Sequence, residues 1–112
     1  MTKAAALKKR YIACELKFAD NSSRLSDEEA KYQIYNEGSK FFGEYLLSFV
    51  ALKFVSLDQA NRIAILRCNR DFVSETLGFL ALVSSLNGRR ARMISLATSG
   101  SIKGLKEKIK NN

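Results

Sequence analysis

Apolar residues along this chain change their spacing in an order that few folds can accommodate. From Arg10 the run RYIACELKF alternates, with Ile12, Cys14, Leu16 and Phe18 on one side and Tyr11, Ala13, Glu15 and Lys17 on the other, the pattern of a half-buried strand. The turn-rich ADNSSRLS follows, and Ser26 with Glu29 fits a capping box that opens a helix. Phe42, Tyr45, Leu46 and Phe49 give that helix an apolar stripe, and Gly38-Ser39 is the expected place for a kink or split. ALKFVSL and RIAILRCN flank Asp58-Gln59-Ala60-Asn61 and predict an antiparallel hairpin with a four-residue loop. Asp71 is placed to cap a second helix, DFVSETLGFLALVSSL, which should end in a left-handed cap at Asn87-Gly88. RARMISLAT predicts a fourth strand and SIKGLKEKIK a short terminal helix, so the order is β-α-β-β-α-β-α.

Right-handed crossovers would set both long helices on one side of a four-stranded antiparallel sheet of strand order 4-1-3-2. The expected class is α+β, a two-layer α/β sandwich of the ferredoxin-like kind that RNA-recognition modules also use. Cys14 and Cys68 would then lie on adjacent strands, and the basic fourth strand at an edge. A chain of 112 residues holds one core, read as a single domain over residues 10–112 behind a basic N-terminal arm, residues 1–9. Its 46% apolar and 27% charged content suits a folded domain, with no apolar run long enough to span a membrane. MTKAAALKKR lacks a secretory apolar core, so a cytoplasmic location is expected.

Charge narrows the partners. The net charge is +8, and it is unevenly distributed: residues 1–56 hold nine Lys/Arg against seven Asp/Glu, residues 57–112 ten against four. Excess positive charge in the second half favours a polyanion. With no histidine, Ser-His-Asp, Cys-His and two-His metal designs are excluded, and we expect no catalytic residue and no metal ligand. Cys14 and Cys68 sit far apart within apolar runs, which reads as buried reduced thiols.

Base stacking of the RNA-recognition kind requires aromatics on the first and third strands. The third strand has none, and the first offers only Tyr11 and, on its other face, Phe18. Outside the core the third strand would show Ile63, Ile65 and Arg67, a partly apolar surface suited to a protein partner or an RNA backbone, with the protein favoured. On the second long helix Val73, Leu77 and Leu80 form one stripe. Phe72, Phe79, Val83 and Leu86 form another, which would pack on the first helix or meet a second chain. The expected partner surface is Phe72, Phe79, Val83, Leu86, Ile63 and Ile65.

Candidate phosphate contacts come from the arginines and the last helix. Arg89, Arg90 and Arg92 at the strand edge, with Arg67 and Arg70 at the end of the third strand, can bind phosphates in bidentate fashion. Ser99, Gly100 and Ser101 can offer backbone amides at a helix start, with Lys103 and Lys106 above them; a plain N-cap is the alternative. Lys8, Lys9 and Arg10 would extend this as an arm. A small anion-hydrolysing enzyme using Asn21 and Arg24 is the competing class, although that loop has no Gly-rich cradle.

Four segments carry a family resemblance: Arg10-Tyr11-Ile12, Ile65-Leu66-Arg67-Cys68 leading through Arg70, Asn87-Gly88-Arg89-Arg90, and Ser99-Gly100-Ser101-Ile102-Lys103. In their order and spacing the chain resembles the archaeal ribonuclease P protein component 2 family, counterpart of the eukaryotic subunit called POP-five. The resemblance implies a noncatalytic subunit of the ribonucleoprotein that removes the 5′ leader from precursor tRNA. It also implies that the RNA subunit performs the hydrolysis with magnesium, and that the protein itself binds no cofactor. Implied partners are ribonuclease P RNA, ribonuclease P protein component 3, other ribonuclease P proteins and, indirectly, precursor tRNA. Two copies each of this chain and component 3 would form a heterotetramer. A freestanding RNA-binding module is the alternative function.

Overall fold

The computed structural model describes residues 8–20 and 23–110. In chain order its elements are β1 (Lys9–Phe18), α1 (Asp27–Val50), β2 (Lys53–Asp58), β3 (Ile63–Asn69), α2 (Val73–Leu82), β4 (Ser85–Leu86), β5 (Arg89–Ser99) and α3 (Ile102–Lys110), with a 3-10 turn at Arg70–Phe72. The expected arm at residues 1–9 falls mostly outside the described residues, while Lys9 already belongs to β1.

The sheet is antiparallel and runs β2-β3-β1-β5-β4, five strands rather than the expected four. The extra strand comes from the end of the expected second helix. That helix stops at Leu82, Ser85–Leu86 pairs with Arg89–Arg90, and Asn87-Gly88 is the turn between them. Both turn residues have positive φ, 55° and 76°, as a two-residue hairpin turn of the primed type requires. A left-handed helix cap and a primed turn call for the same residues, which is why the sequence suggested the first. The helix start also differs: no side chain caps α2, so Asp71 does not fill the capping role.

The capping box of α1 forms as expected. Ser26 Oγ accepts from the Glu29 backbone N–H at 3.1 Å, and Glu29 Oε1 accepts from the Ser26 N–H at 2.9 Å. The helix is interrupted, but at Gly43 (φ 76°, ψ 157°) and not at Gly38-Ser39. Gly38 is buried and serves close packing instead, since a Cβ there would lie 3.1 Å from Leu52 and 3.7 Å from Phe79. Beyond the break at Gly43 the helix still packs Leu47 and Val50 against the core but turns Tyr45 and Phe49 outwards. Phe42 is buried, whereas Tyr45 is 80% and Phe49 48% exposed.

Two apolar clusters lie on opposite faces of the sheet. On one face Ile12, Cys14, Leu16 and Phe18 of β1 and Ala64, Leu66 and Cys68 of β3 meet α1 and α2 through Ala30, Ile34, Phe42, Phe79 and Leu80. On the other, Leu105 and Ile109 of α3 cover Ala13, Ile63, Ile65, Leu96 and Ala97. Burying Leu105 and Ile65 contributes roughly 1.5–3 kcal/mol per side chain. The domain is therefore layered helix, sheet, helix, where a two-layer sandwich was expected. A bulge at Leu96 lets it and Ala97 both contact this second cluster, since Ala13 pairs with Ala97 but Cys14 with Ser95.

Candidate functional site

The cationic residues singled out in the sequence fall at opposite ends of the sheet. Along β1, Tyr11 pairs with Ser99 and Lys17 with Arg92, so about 20 Å of strand separates the two groups. The chain's C-terminal quarter thus does not gather its arginines beside the start of α3.

At one end lie the beginning of β1, the end of β3 and the Ser99-Gly100-Ser101 turn. Asn69 joins them: Lys9 Nζ donates to its Oδ1 at 2.7 Å, and its Nδ2 donates to the Phe49 carbonyl at 2.6 Å. The Arg70 N–H donates to the Lys8 carbonyl. The Arg10 guanidinium lies against Gly100, where a Cβ would come within 3.4 Å of Nη1. Ser101 caps α3 by accepting from the Gly104 N–H at 3.0 Å, and Ser99 Oγ accepts from the Ser101 N–H at 3.3 Å. Of the amides expected to meet a phosphate, that of Ser101 is bonded within the chain, and the Ser101 hydroxyl caps the helix, so the capping function is met there. Lys103 and Lys106 remain exposed along α3.

At the other end, Arg89, Arg90 and Arg92 begin β5. Arg89 Nη1 donates to Ser23 Oγ at 2.7 Å and ties down the loop before α1. Arg90 and Arg92 are exposed, with Ala91 and Met93 buried between and beyond them, so both point to the α3 side of the sheet. Lys17, absent from the sequence-based set, stands directly opposite Arg92. Arg67, also on the α3 side, is half-buried; it stands opposite Lys53, and its Nε is buried without a hydrogen-bond partner among the described residues. Arg70 pairs with Asp71 at 3.7 Å.

The expected partner surface is mostly interior. Phe79, Val83 and Leu86 are buried among α1, α2 and the sheet, Phe72 is half-buried against the same cluster, and Ile65 with Ile63 lies beneath α3. Apolar surface instead appears on the second half of α1, at Phe41, Tyr45, Leu46 and Phe49, and at Leu82 of α2, which is 68% exposed. Phe41 bridges core and surface, with its ring centroid 4.9 Å from that of Phe42 and 5.7 Å from that of Phe79. Beside it a groove of about 190 Å³ is lined by Glu37, Lys40, Phe41, Phe79, Leu82 and Val83. The signal missed in the sequence was the glycine at 43, whose break gives Tyr45 and Phe49 a different face from Phe42.

Titratable groups show no activated nucleophile. Burial pushes the Cys14 thiol up to about 12, and Cys68 rises for the same reason. Asp58 is held low by the Asn61 side-chain amide and the backbone N–H groups of its own hairpin loop, a turn-forming role. Among the described residues no three His, Cys, Asp or Glu side chains converge as a metal cluster. No helix there is long and apolar enough to cross a membrane. Asn21, invoked for the anion-hydrolase alternative, lies outside the described residues.

These features define a basic α+β domain with cations on one face of its sheet and apolar side chains on the helical layer opposite. A chain in the cryo-EM structure of yeast ribonuclease MRP shares this fold, with a TM-score of 0.69 at 13% identity over 96% of this chain and 95% of that one. Residues 10–110 match the model of the Rpp14/Pop5 family, and the chain belongs to that family. Similar relatives include the ribonuclease P protein component 2 of Pyrococcus furiosus, 33% identical over 90% of this chain and 82% of the relative. That of Pyrococcus horikoshii is 34% identical over the same shares, and that of Methanosarcina barkeri 30% identical over 94% of this chain and 74% of the relative.

Proposed function

We propose that this chain is a protein subunit of ribonuclease P, supporting a catalytic RNA in removing the 5′ leader from precursor tRNA. The observation that carries this reading is the family match across residues 10–110, joined to relatives named ribonuclease P protein component 2. The chemistry agrees with it: a histidine-free chain of net charge +8 lowers phosphate repulsion, while magnesium held by the RNA activates water. The domain acts in the cytoplasm, with a sheet order that we read as a ferredoxin-like arrangement extended by β4.

The protein partner, ribonuclease P protein component 3 in this reading, docks on the second half of α1. Tyr45, Phe49, Phe41 and Leu82 are large, apolar and exposed together, the composition of an interface centre. This replaces the second helix as the docking element. Two copies of each protein forming a heterotetramer follow from the family resemblance.

The test is cleavage of precursor tRNA at low magnesium by ribonuclease P RNA with component 3, with and without this chain. The expected result is cleavage only when both proteins are present. Tyr45→Asp should keep the circular dichroism of the fold and lose component 3 binding, whereas Phe79→Asp should unfold the domain. Cleavage that does not respond to this chain overturns the assignment, and Tyr45→Asp binding component 3 normally removes α1 from the interface.

A further inference from the structure

The two faces of the sheet differ in charge as well as in covering. Beyond Glu15, Asp58 and Glu107, the side that carries α3 presents Lys17, Arg90 and Arg92 at one end, Arg67 and Lys53 at the other, and Lys103, Lys106 and Lys110 on the helix between. On the other side, helix α1 carries Asp27, Glu28, Glu29, Glu37 and Glu44 against Lys31 and Lys40, with Glu75 on α2 and Arg89 bonded to Ser23.

Two pairings on the α3 side stand out physically. Lys17 lies directly across from Arg92, and Lys53 directly across from Arg67. Opposed like charges destabilise a sheet. Among the described residues the ion pairs are Lys40–Glu37 and Arg70–Asp71, and none of these four cations makes an ion pair or a side-chain hydrogen bond. Glu15, the nearest carboxylate on this strand face, stands opposite Ile94 and not opposite a cation. Burial does not force the arrangement, since Lys17, Lys53 and Arg92 are exposed. A neutral side chain at Lys17 or Lys53 would serve the fold better.

We infer that the α3 side of the sheet is the RNA-facing surface, and that the Lys17–Arg92 and Lys53–Arg67 pairs are phosphate-backbone contacts flanking α3. This rests on the ribonuclease P reading and assigns the RNA to the face opposite the α1 docking surface. Opposed side chains about 5 Å apart across strands, and Arg90 and Arg92 about 6.7 Å apart along one strand, form a grid of cations, with Tyr11 opposite Arg67, half-buried against the α3 cluster, as the aromatic on this face. Such a grid meets a row of phosphates and relieves its own repulsion on binding. Bases have no stacking platform there, because α3 covers the centre of the face. The contact is to the sugar-phosphate backbone of folded RNA and carries little sequence preference.

The experiment uses the full chain and a labelled RNA duplex of arbitrary sequence, with affinity measured against salt and thermal stability measured in parallel. Lys17→Gln and Lys53→Gln are the site variants and Lys31→Gln, an exposed cation on α1, the control. Each site variant should lower the slope of log affinity against log salt by about 0.7–0.9, the loss of one phosphate contact. Each should also raise the melting temperature by about 1–5 °C, as repulsion between opposed cations is removed. Lys31→Gln should change neither. Opposite signs on binding and stability distinguish this site from structural cations, whose loss lowers both.

Unchanged slopes in the site variants, or equal loss with Lys31→Gln, overturn the assignment of this face. Lower melting temperatures in both site variants overturn the claim of unrelieved repulsion. Polyglutamate binding as tightly as the duplex, with the same dependence on Lys17 and Lys53, overturns RNA as the occupant in favour of an acidic protein. Failure of the wild-type chain to bind RNA at all is a different result, and it takes down the RNA-subunit reading together with this inference.

Discussion

Substituting Gly43 by alanine tests what interrupts α1. In a regular helix that change gains about 1 kcal/mol, because alanine loses less backbone freedom. At φ 76° and ψ 157° an L side chain is strained, and the cost is about 1–3 kcal/mol. A Cβ at this position meets nothing within 4 Å, so no clash contributes and the sign reports backbone conformation alone. With about 2.1 cal/mol/K of unfolding entropy per residue across 112 residues, 1 kcal/mol corresponds to about 4 °C. Gly43→Ala should therefore melt about 4–13 °C lower than the parent, whereas a continuous helix would melt about 4 °C higher. Thermal and urea unfolding measured together check the figure, and component 3 binding should fall because Tyr45 and Phe49 are re-aimed. A stability gain with partner binding intact would refute the break as the device that exposes those side chains.

Ala51 ends α1 in the left-handed region at φ 54°, so Ala51→Gly should stabilise the domain by about 0.5–1 kcal/mol in urea titration. Leu105→Ala empties the centre of the smaller cluster and should cost about 2–3 kcal/mol, with the amides of α3 losing hydrogen-exchange protection before those of β1. Both buried thiols have raised pKa values in the folded chain, so above pH 9 the unfolded state loses protons that the native state keeps. Stability should be flat below that pH and fall above it, by up to about 1.4 kcal/mol per pH unit for Cys14 as pH climbs from about 9 towards 12 and in the same direction for Cys68, as equilibrium unfolding would show. Arg89→Ala should lower stability by about 1 kcal/mol through loss of its bond to the buried Ser23, which denaturant titration would register.

Features set by near neighbours were legible in the sequence. The Ser26–Glu29 box, the alternation of β1 and the hairpin after β2 each depend on a few residues, and each formed, although the hairpin loop spans Gln59–Arg62, one residue later than expected. Val83 and Leu86 were misplaced because a short apolar run fits the end of a buried helix as well as a strand. The position of α3 was harder to read. Leu105 and Ile109 gave it one apolar stripe, but what that stripe covers is decided by Ala13, Ile65, Leu96 and Ala97, far away in sequence. Those residues were themselves the available signal, being apolar where a two-layer sheet would face water. Ile63 and Ile65 were read as a docking surface for another protein when their occupant is this chain's own last helix. The cation pairs were invisible until register was known, since nothing in the sequence places Lys17 across from Arg92 or Lys53 across from Arg67.

β1 is the first strand of the chain and sits in the middle of the sheet, between β3 and β5. Its second neighbour, β5, follows far along the chain, with Tyr11 paired to Ser99. During synthesis on the ribosome β1 leaves the exit tunnel ahead of β5 and then waits, one edge unpaired, until β5 has followed it. Until then the nascent chain exposes an apolar, strand-forming edge to its surroundings. Closure of the sheet is thus an event of high contact order that waits on β5.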